Sequence, residues 1–237
     1  MYKLEVLGGL KWYFESKNLS LKNALKFRSP LSAENQTDLR LYYSQYFVSL
    51  LSATEFLFEK KYIFRKEFAD QLYEKFVFED KSNGEENYLY LKELRNSIVH
   101  RSYDILSASH FSNNFPLILA PSTIQNQSGS KEYCAPRFYL IELIDICENM
   151  IGNIIAQHLD YFAEKLPTLT DGEMVKESKK IILNSAGVPD WVKEQTLKFI
   201  DSENFLKIKI DQTQDILSFL RKNALPDLTE LHSNHAN

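Results

Sequence analysis

Long stretches of this chain contain neither glycine nor proline, and the residues that can be buried recur there at every third or fourth position. The clearest stretch covers residues 38–61, and Thr37 or Asp38 can cap its start. The residues that keep the period are Leu39, Tyr43, Phe47, Leu50, Leu51, Thr54, Leu57 and Phe58. Such spacing is typical of an α-helix with one buried face. With only 7 Gly and 7 Pro in 237 residues, the chain also lacks the turns of an all-β sandwich. The sequence predicts an all-α fold.

The same period, read along the rest of the chain, predicts its organisation. Further helices are predicted over residues 65–78, from 85 or 86 to 105, and over 137–166, 172–186, 191–201 and 209–222. Residues 203–210 alternate and also fit a strand, although no partner strand is evident. The predicted units are an irregular N-terminal extension with at most one short helix (1–37), a bundle (38–166) containing a long loop (106–136), a helical extension (167–224) and a disordered tail (225–237).

Charge and cysteine content exclude several classes of function. A net charge of -4 argues against a dedicated duplex-DNA binder, whose affinity comes mainly from Lys and Arg along the phosphates. Cys134 and Cys147 form neither a disulfide framework nor a zinc-binding spacing. No secretory signal is evident, and the most apolar segment, residues 47–58, falls short of the ~20 apolar residues of a membrane span. We therefore expect a cytoplasmic protein that uses no metal or other cofactor.

One polar row stands out on the predicted helix that ends near residue 105. Asn96, His100 and Tyr103 are spaced at i, i+4 and i+7 and so share one helical face, while Arg95 flanks them. The apolar stripe of that helix, which faces elsewhere, consists of Leu91, Leu94, Ile98 and Ile105. An imidazole beside a guanidinium suits attack on a phosphodiester, because the first moves a proton near neutral pH and the second stabilises charge on the phosphoryl oxygens.

The segment from Arg95 through Asn96 to His100 resembles the signature of the HEPN superfamily (higher eukaryote and prokaryote nucleotide-binding domains). Its ribonuclease members carry Arg, four to six residues and then His, commonly with Asn directly after the Arg. The resemblance covers residues 38–165 and implies a bundle of four or five helices. It also implies cleavage of single-stranded RNA without metal, at a composite site where two such motifs meet across a homodimer. The setting would be growth arrest or defence, with an antitoxin protein as a further partner.

The resemblance also implies a role for each residue of the motif. His100 would act on the ribose 2'-OH or on the leaving oxygen, Arg95 would hold the scissile phosphate, and Asn96 would orient the phosphate or His100. The neighbouring Arg101, Ser102 and Tyr103 are predicted to contact the substrate.

Other interpretations of the same residues remain open. The first alternative to a ribonuclease is a catalytically inactive HEPN-like module that binds nucleotide, RNA or a protein, and the second is an unrelated helical interaction protein. In the last case Arg95 would pair with Glu93 or with an acid on a neighbouring helix, and His100 would be structural. The aromatic residues between 42 and 58 are predicted to be core rather than a base-stacking surface. The basic residues between 60 and 66 are predicted to be solvated.

Overall fold

The computed structural model describes residues 1–77, 83–211 and 215–226. The chain is mostly helical, as predicted, with two short β-hairpins. The elements in chain order are α1 (Lys3–Ala24), α2 (Ala33–Phe58), α3 (Arg65–Lys75), α4 (Gly84–His100), β1 (Ser109–Ser112), β2 (Phe115–Ile118), β3 (Thr123–Gln125), β4 (Glu132–Cys134), α5 (Leu140–Phe162), a one-turn 3-10 helix (Ala163–Lys165), α6 (Asp171–Asn184), α7 (Asp190–Ile200), α8 (Glu203–Asp211) and α9 (Ile216–Leu220).

The prediction of an irregular N-terminal extension is wrong for most of residues 1–37, because α1 is a long helix that packs along α2. The Gly8–Gly9 pair lies inside α1. A Cβ atom on Gly9 would come within 2.9 Å of the Phe56 ring, so the missing side chain lets the two helices approach closely. The buried face of α1 consists mainly of Val6, Leu7, Leu10, Phe14 and Leu21.

Helices α1 to α5 and α9 enclose one apolar core. The Ser32 hydroxyl accepts a hydrogen bond from the Asn35 amide at 3.1 Å, so α2 begins earlier than the predicted cap at Thr37 or Asp38. Tyr43, Tyr46 and Phe47 are fully enclosed, which confirms that these aromatic residues of α2 belong to the core. Most of one broad face of α5 is buried.

The predicted loop over residues 106–136 is instead two antiparallel hairpins, β1–β2 and β3–β4. In the first, Ser109 pairs with Ile118 and Ser112 with Phe115, and Asn113 and Asn114 make the turn with φ of 49° and 62°. Positive φ at both central residues is typical of the tight turns that join twisted strands, and Asn tolerates it.

The C-terminal extension is helical, and α6 and α7 lie close to their predicted positions. Residues 203–210 belong to α8, so the strand alternative is wrong. The helix predicted over 209–222 is interrupted, because Asp215 has a φ of 56° and precedes the separate helix α9, while residues 212–214 lie outside the described residues. Residues 227–237 of the predicted tail lie outside the described residues. Within the described residues, no helix combines the length and apolar character needed to cross a membrane.

Candidate active site

Helix α4 carries the Arg95–His100 motif and is fixed at both ends. The Asn83 side chain accepts a hydrogen bond from the Glu85 amide at 2.9 Å and caps the first turn. Leu91 and Leu94 of the predicted apolar stripe are fully buried, as is Ile105 beyond the helix. The helix contacts α2, α3 and the second hairpin. Its outer face therefore presents Asn96 and His100.

Arg95 forms an ion pair with Glu55 of α2. The Arg95 side chain is only 14% exposed and that of Glu55 is 32% exposed. The Nε atom of Arg95 is buried and has no hydrogen-bond partner. The guanidinium is thus directed toward α2 and does not extend over the face that carries Asn96 and His100. A phosphate at this point would have to replace or share the Glu55 carboxylate.

Asn96 and His100 share one face of α4, as their spacing predicts. Asn96 is half-buried, and its Nδ2 atom makes a long contact of 3.4 Å to the Glu93 carboxylate. His100 is exposed and makes no hydrogen bond or ion pair with any residue that the structure describes. Its ring nitrogens are therefore free to exchange protons with a ligand.

Tyr103 does not continue the polar row, because α4 ends at His100 instead of near residue 105. The amides of Arg101 and Tyr103 both donate to the Ser97 carbonyl, at 3.1 and 3.0 Å, and Ser102 has a φ of 54°. Residues other than glycine seldom adopt this left-handed backbone conformation. Tyr103 is half-buried against the core and lies off the face of Asn96 and His100.

Hydrogen bonds to other residues of the chain fix the Arg101 side chain. Its guanidinium donates to the Gln125 carbonyl at 2.6 Å and to the Glu93 carboxylate at 2.9 Å, and so ties the end of α4 to β3. Glu55 and Glu93 together neutralise the two arginines of the motif region. Sequence reasoning missed Glu55, although it is the one charged residue in the apolar stretch 47–58.

Three clefts formed by described residues lie away from this motif. Two, of about 400 and 390 Å³, flank α6 and share Ser178 and Ile181 in their lining. The third, of about 390 Å³, lies between α1 and α9. Arg95, Asn96 and His100 line none of the three. In the part of the chain that the structure covers, no group of three or more His, Cys, Asp or Glu side chains is arranged to hold a metal ion.

Two buried polar clusters have structural partners only. The Lys17 ammonium pairs with the Glu148 carboxylate, which also accepts from the Tyr46 hydroxyl at 2.9 Å. The His158 ring lies between the Tyr62 hydroxyl and the Gln71 side-chain oxygen, each at 2.8 Å. Burial lowers the pKa of His158 to about 4, so the ring is neutral near pH 7. Neither cluster is open to a substrate.

No family model, curated protein or solved structure matches the chain. A functional assignment therefore depends on the chemistry of its own residues, of which His100 is the most accessible reactive group in the motif.

Proposed function

We propose that this chain is a metal-independent endoribonuclease of the HEPN type that cleaves single-stranded RNA. The single observation that carries the proposal is the position of His100. It is exposed at the end of α4, it has no partner within the described chain, and Asn96 lies one turn before it on the same face. An accessible imidazole with a neighbouring amide can both bind a phosphodiester and move its protons.

In the proposed reaction the ribose 2'-oxygen attacks the adjacent phosphorus while its proton passes to a neutral His100. The bond from phosphorus to the 5'-oxygen breaks, and that oxygen takes a proton from a protonated histidine. The products are a 2',3'-cyclic phosphate and a 5'-hydroxyl, and no oxidant or water is consumed. Two histidines are needed in opposite protonation states, so we propose that two copies of the chain each contribute one His100 to a composite site.

Arg95 would stabilise the charge that develops on the phosphoryl oxygens. Because its guanidinium is paired with Glu55, this role requires the phosphate to compete with that carboxylate. Arg101 and Ser102 would contact the RNA beside His100. We further propose a cytoplasmic setting in growth arrest or defence, with an antitoxin protein as regulator.

Incubation of the pure protein with single-stranded RNA in EDTA tests the proposal. Wild type should cut, and His100→Ala and Arg95→Ala should lose nearly all activity. Arg40→Ala is the matched control, because Arg40 is exposed and pairs with Asp104 outside the motif. Light scattering on the same samples should give the mass of a dimer. An inert wild type, or motif variants that cut as well as wild type, would contradict the proposal.

A specific observation also favours the second candidate, a catalytically inactive module of the same type. Arg95 already has an anionic partner within its own chain, which leaves its guanidinium less able to stabilise a phosphate as cleavage would require. Under this alternative the protein binds nucleotide, RNA or a protein partner without cleaving RNA. Calorimetric titration with RNA that shows binding, together with unchanged RNA after long incubation, would favour this candidate.

A further inference from the structure

Three rings form a cluster at the junction of the first hairpin and α5. We call His110, Phe138 and Tyr139 the ring cluster. The centroids of the His110 and Tyr139 rings are 5.7 Å apart, and those of Phe138 and Tyr139 are 4.9 Å apart with nearly perpendicular planes. Phe138 is 64% exposed, His110 is exposed and Tyr139 is half-exposed. Adjacent exposed rings, unlike a single exposed apolar residue, are a feature of binding surfaces.

The backbone holds the ring cluster in place. The Ala120 amide donates to the Phe138 carbonyl at 2.9 Å, and Leu119 and Tyr139 form an isolated β-bridge. Tyr139 precedes the first turn of α5, and its amide donates to the Glu142 carboxylate at 3.0 Å. Rings on a fixed backbone lose little freedom when a flat ligand stacks on them.

The segment that carries the ring cluster is less acidic than the rest of the chain, although the Glu142 carboxylate lies against the Tyr139 amide. Residues 106–139 contain Lys131, Arg137 and Glu132 as their only charged side chains, so two positive charges and one negative give a net +1. The whole chain carries -4. This segment therefore repels a nucleic acid less than the remainder of the molecule does.

The ring cluster belongs to the same segment that packs on the end of α4. The second hairpin contacts α4, and the Arg101 guanidinium donates to the Gln125 carbonyl of β3. We therefore expect a strand bound on the ring cluster to continue across the hairpins toward the end of α4.

We propose that the ring cluster stacks unpaired bases of a single-stranded nucleic acid, with Phe138 as the main platform. Every base offers an aromatic face, so this contact is tolerant of sequence and requires an unpaired strand. If the bound strand is the substrate of His100, this proposal rests on the proposed ribonuclease function. Binding of a strand by the ring cluster does not depend on that function.

The test is fluorescence anisotropy with a labelled single-stranded oligouridine, in EDTA and in a His100→Ala background so that the probe stays intact. Phe138→Ala should weaken binding by about 5- to 150-fold, the range for loss of one base–aromatic stack. Phe138→Trp should keep or improve the affinity. Trp12→Ala is the matched control, because Trp12 is 67% exposed on α1 and should not affect binding. Circular dichroism of each variant checks that it folds.

The outcomes separate this proposal from the proposed function. If wild type cuts RNA but Phe138→Ala binds the probe as well as its parent, the ring cluster is not the platform and the ribonuclease stands. If wild type never cuts but Phe138→Ala loses affinity, the platform stands and the ribonuclease falls. A DNA oligomer of the same length should bind comparably through its bases. Duplex RNA that binds as tightly as the single strand would overturn the stacking proposal.

Discussion

Arg95 of α4 is ion-paired with Glu55 of α2, while His100 of the same motif is exposed and unpaired within the described chain. Five positions along a helix correspond to a rotation of about 140°, so the two side chains leave α4 in different directions. One copy of the chain therefore does not present both groups to one phosphate in this arrangement. For the proposed ribonuclease, Arg95 would therefore have to exchange Glu55 for the substrate phosphate, and the same holds for a second copy, which carries the same ion pair.

Substitution of Glu55 measures how strongly this carboxylate opposes binding of a phosphate. In the His100→Ala background, Glu55→Gln should tighten binding of single-stranded RNA by about fivefold at low salt, because a unit charge about 4 Å away contributes about 1 kcal/mol in water. Anisotropy at two salt concentrations is the measurement, and the gain should shrink as salt rises.

Glu15→Gln is the control for Glu55→Gln, since it changes the net charge equally on the exposed face of α1. Its effect on RNA affinity should be small. Weaker binding by Glu55→Gln would contradict the expectation and would mean that Glu55 positions the guanidinium for the substrate rather than competing with it.

The orientation of the Arg95 side chain shows which features of a site can be predicted from sequence and which cannot. The helical period places Asn96 and His100 on one face of α4, because that relation depends on one helix alone. The partner of Arg95 depends on how α2 crosses α4, which no local pattern encodes. A lone glutamate in the apolar stretch 47–58 indicates a nearby cation, but it does not say which one.

His158 should make the stability of the protein depend on pH. Burial lowers its folded-state pKa to about 4, below the ordinary value of 6.5. As pH falls below about 6.5, the unfolded chain gains a proton that the folded chain does not take up until about pH 4. This contribution to stability is therefore complete above pH 6.5, declines between 6.5 and 4, and changes no further below 4.

Urea unfolding at half-unit pH steps measures this dependence. His158→Gln should be less stable at pH 7 but should show a shallower decline toward pH 4, because it lacks the titrating ring. Equal slopes for the two proteins over this range would assign the decline to other groups.

The local sequence pattern did not predict α1 or the hairpins, and the physical reason differs between the two. In α1, glycine at position 9 serves the close approach of Phe56, so tertiary packing outweighs its low helix propensity. The strands of the hairpins have only three or four residues, which is too short for alternation to be distinguished from a loop. The longer helices α2 and α5 were predictable because many turns repeat one period.

The buried pair of Lys17 and Glu148 should be strongly coupled. Burial lowers the pKa of Lys17 and the Glu148 carboxylate opposes that shift, so each side chain depends on the other. Lys17→Met alone should cost about 3–5 kcal/mol of unfolding free energy, because it leaves a buried carboxylate without its cation. The double variant Lys17→Met/Glu148→Gln should lose clearly less than the sum of the single changes.

Urea unfolding of the four proteins in this double-mutant cycle gives the coupling. Lys198→Met is the control, because Lys198 pairs with Glu194 while both side chains are about two-thirds exposed, and it should cost at most about 0.5 kcal/mol. Additive losses at positions 17 and 148 would refute the expected coupling.

A close backbone contact at Gly152 fixes α9 on α5. A Cβ atom at Gly152 would come within 2.0 Å of the Leu220 carbonyl oxygen, and a backbone atom has no rotamer with which to move aside. The Glu148 carboxylate, one turn earlier on α5, accepts from the Ala224 amide at 2.9 Å. Gly152→Ala should therefore displace α9, lower the unfolding free energy by about 1–3 kcal/mol and speed proteolysis after residue 211.

Gly172→Ala is the matched control, because a Cβ there meets open space in the first turn of α6. It should be neutral or stabilise by up to about 1 kcal/mol. Because both changes add one methyl group to a helical glycine, equal stability and equal proteolysis of the two variants would show that the contact with Leu220 does not hold α9.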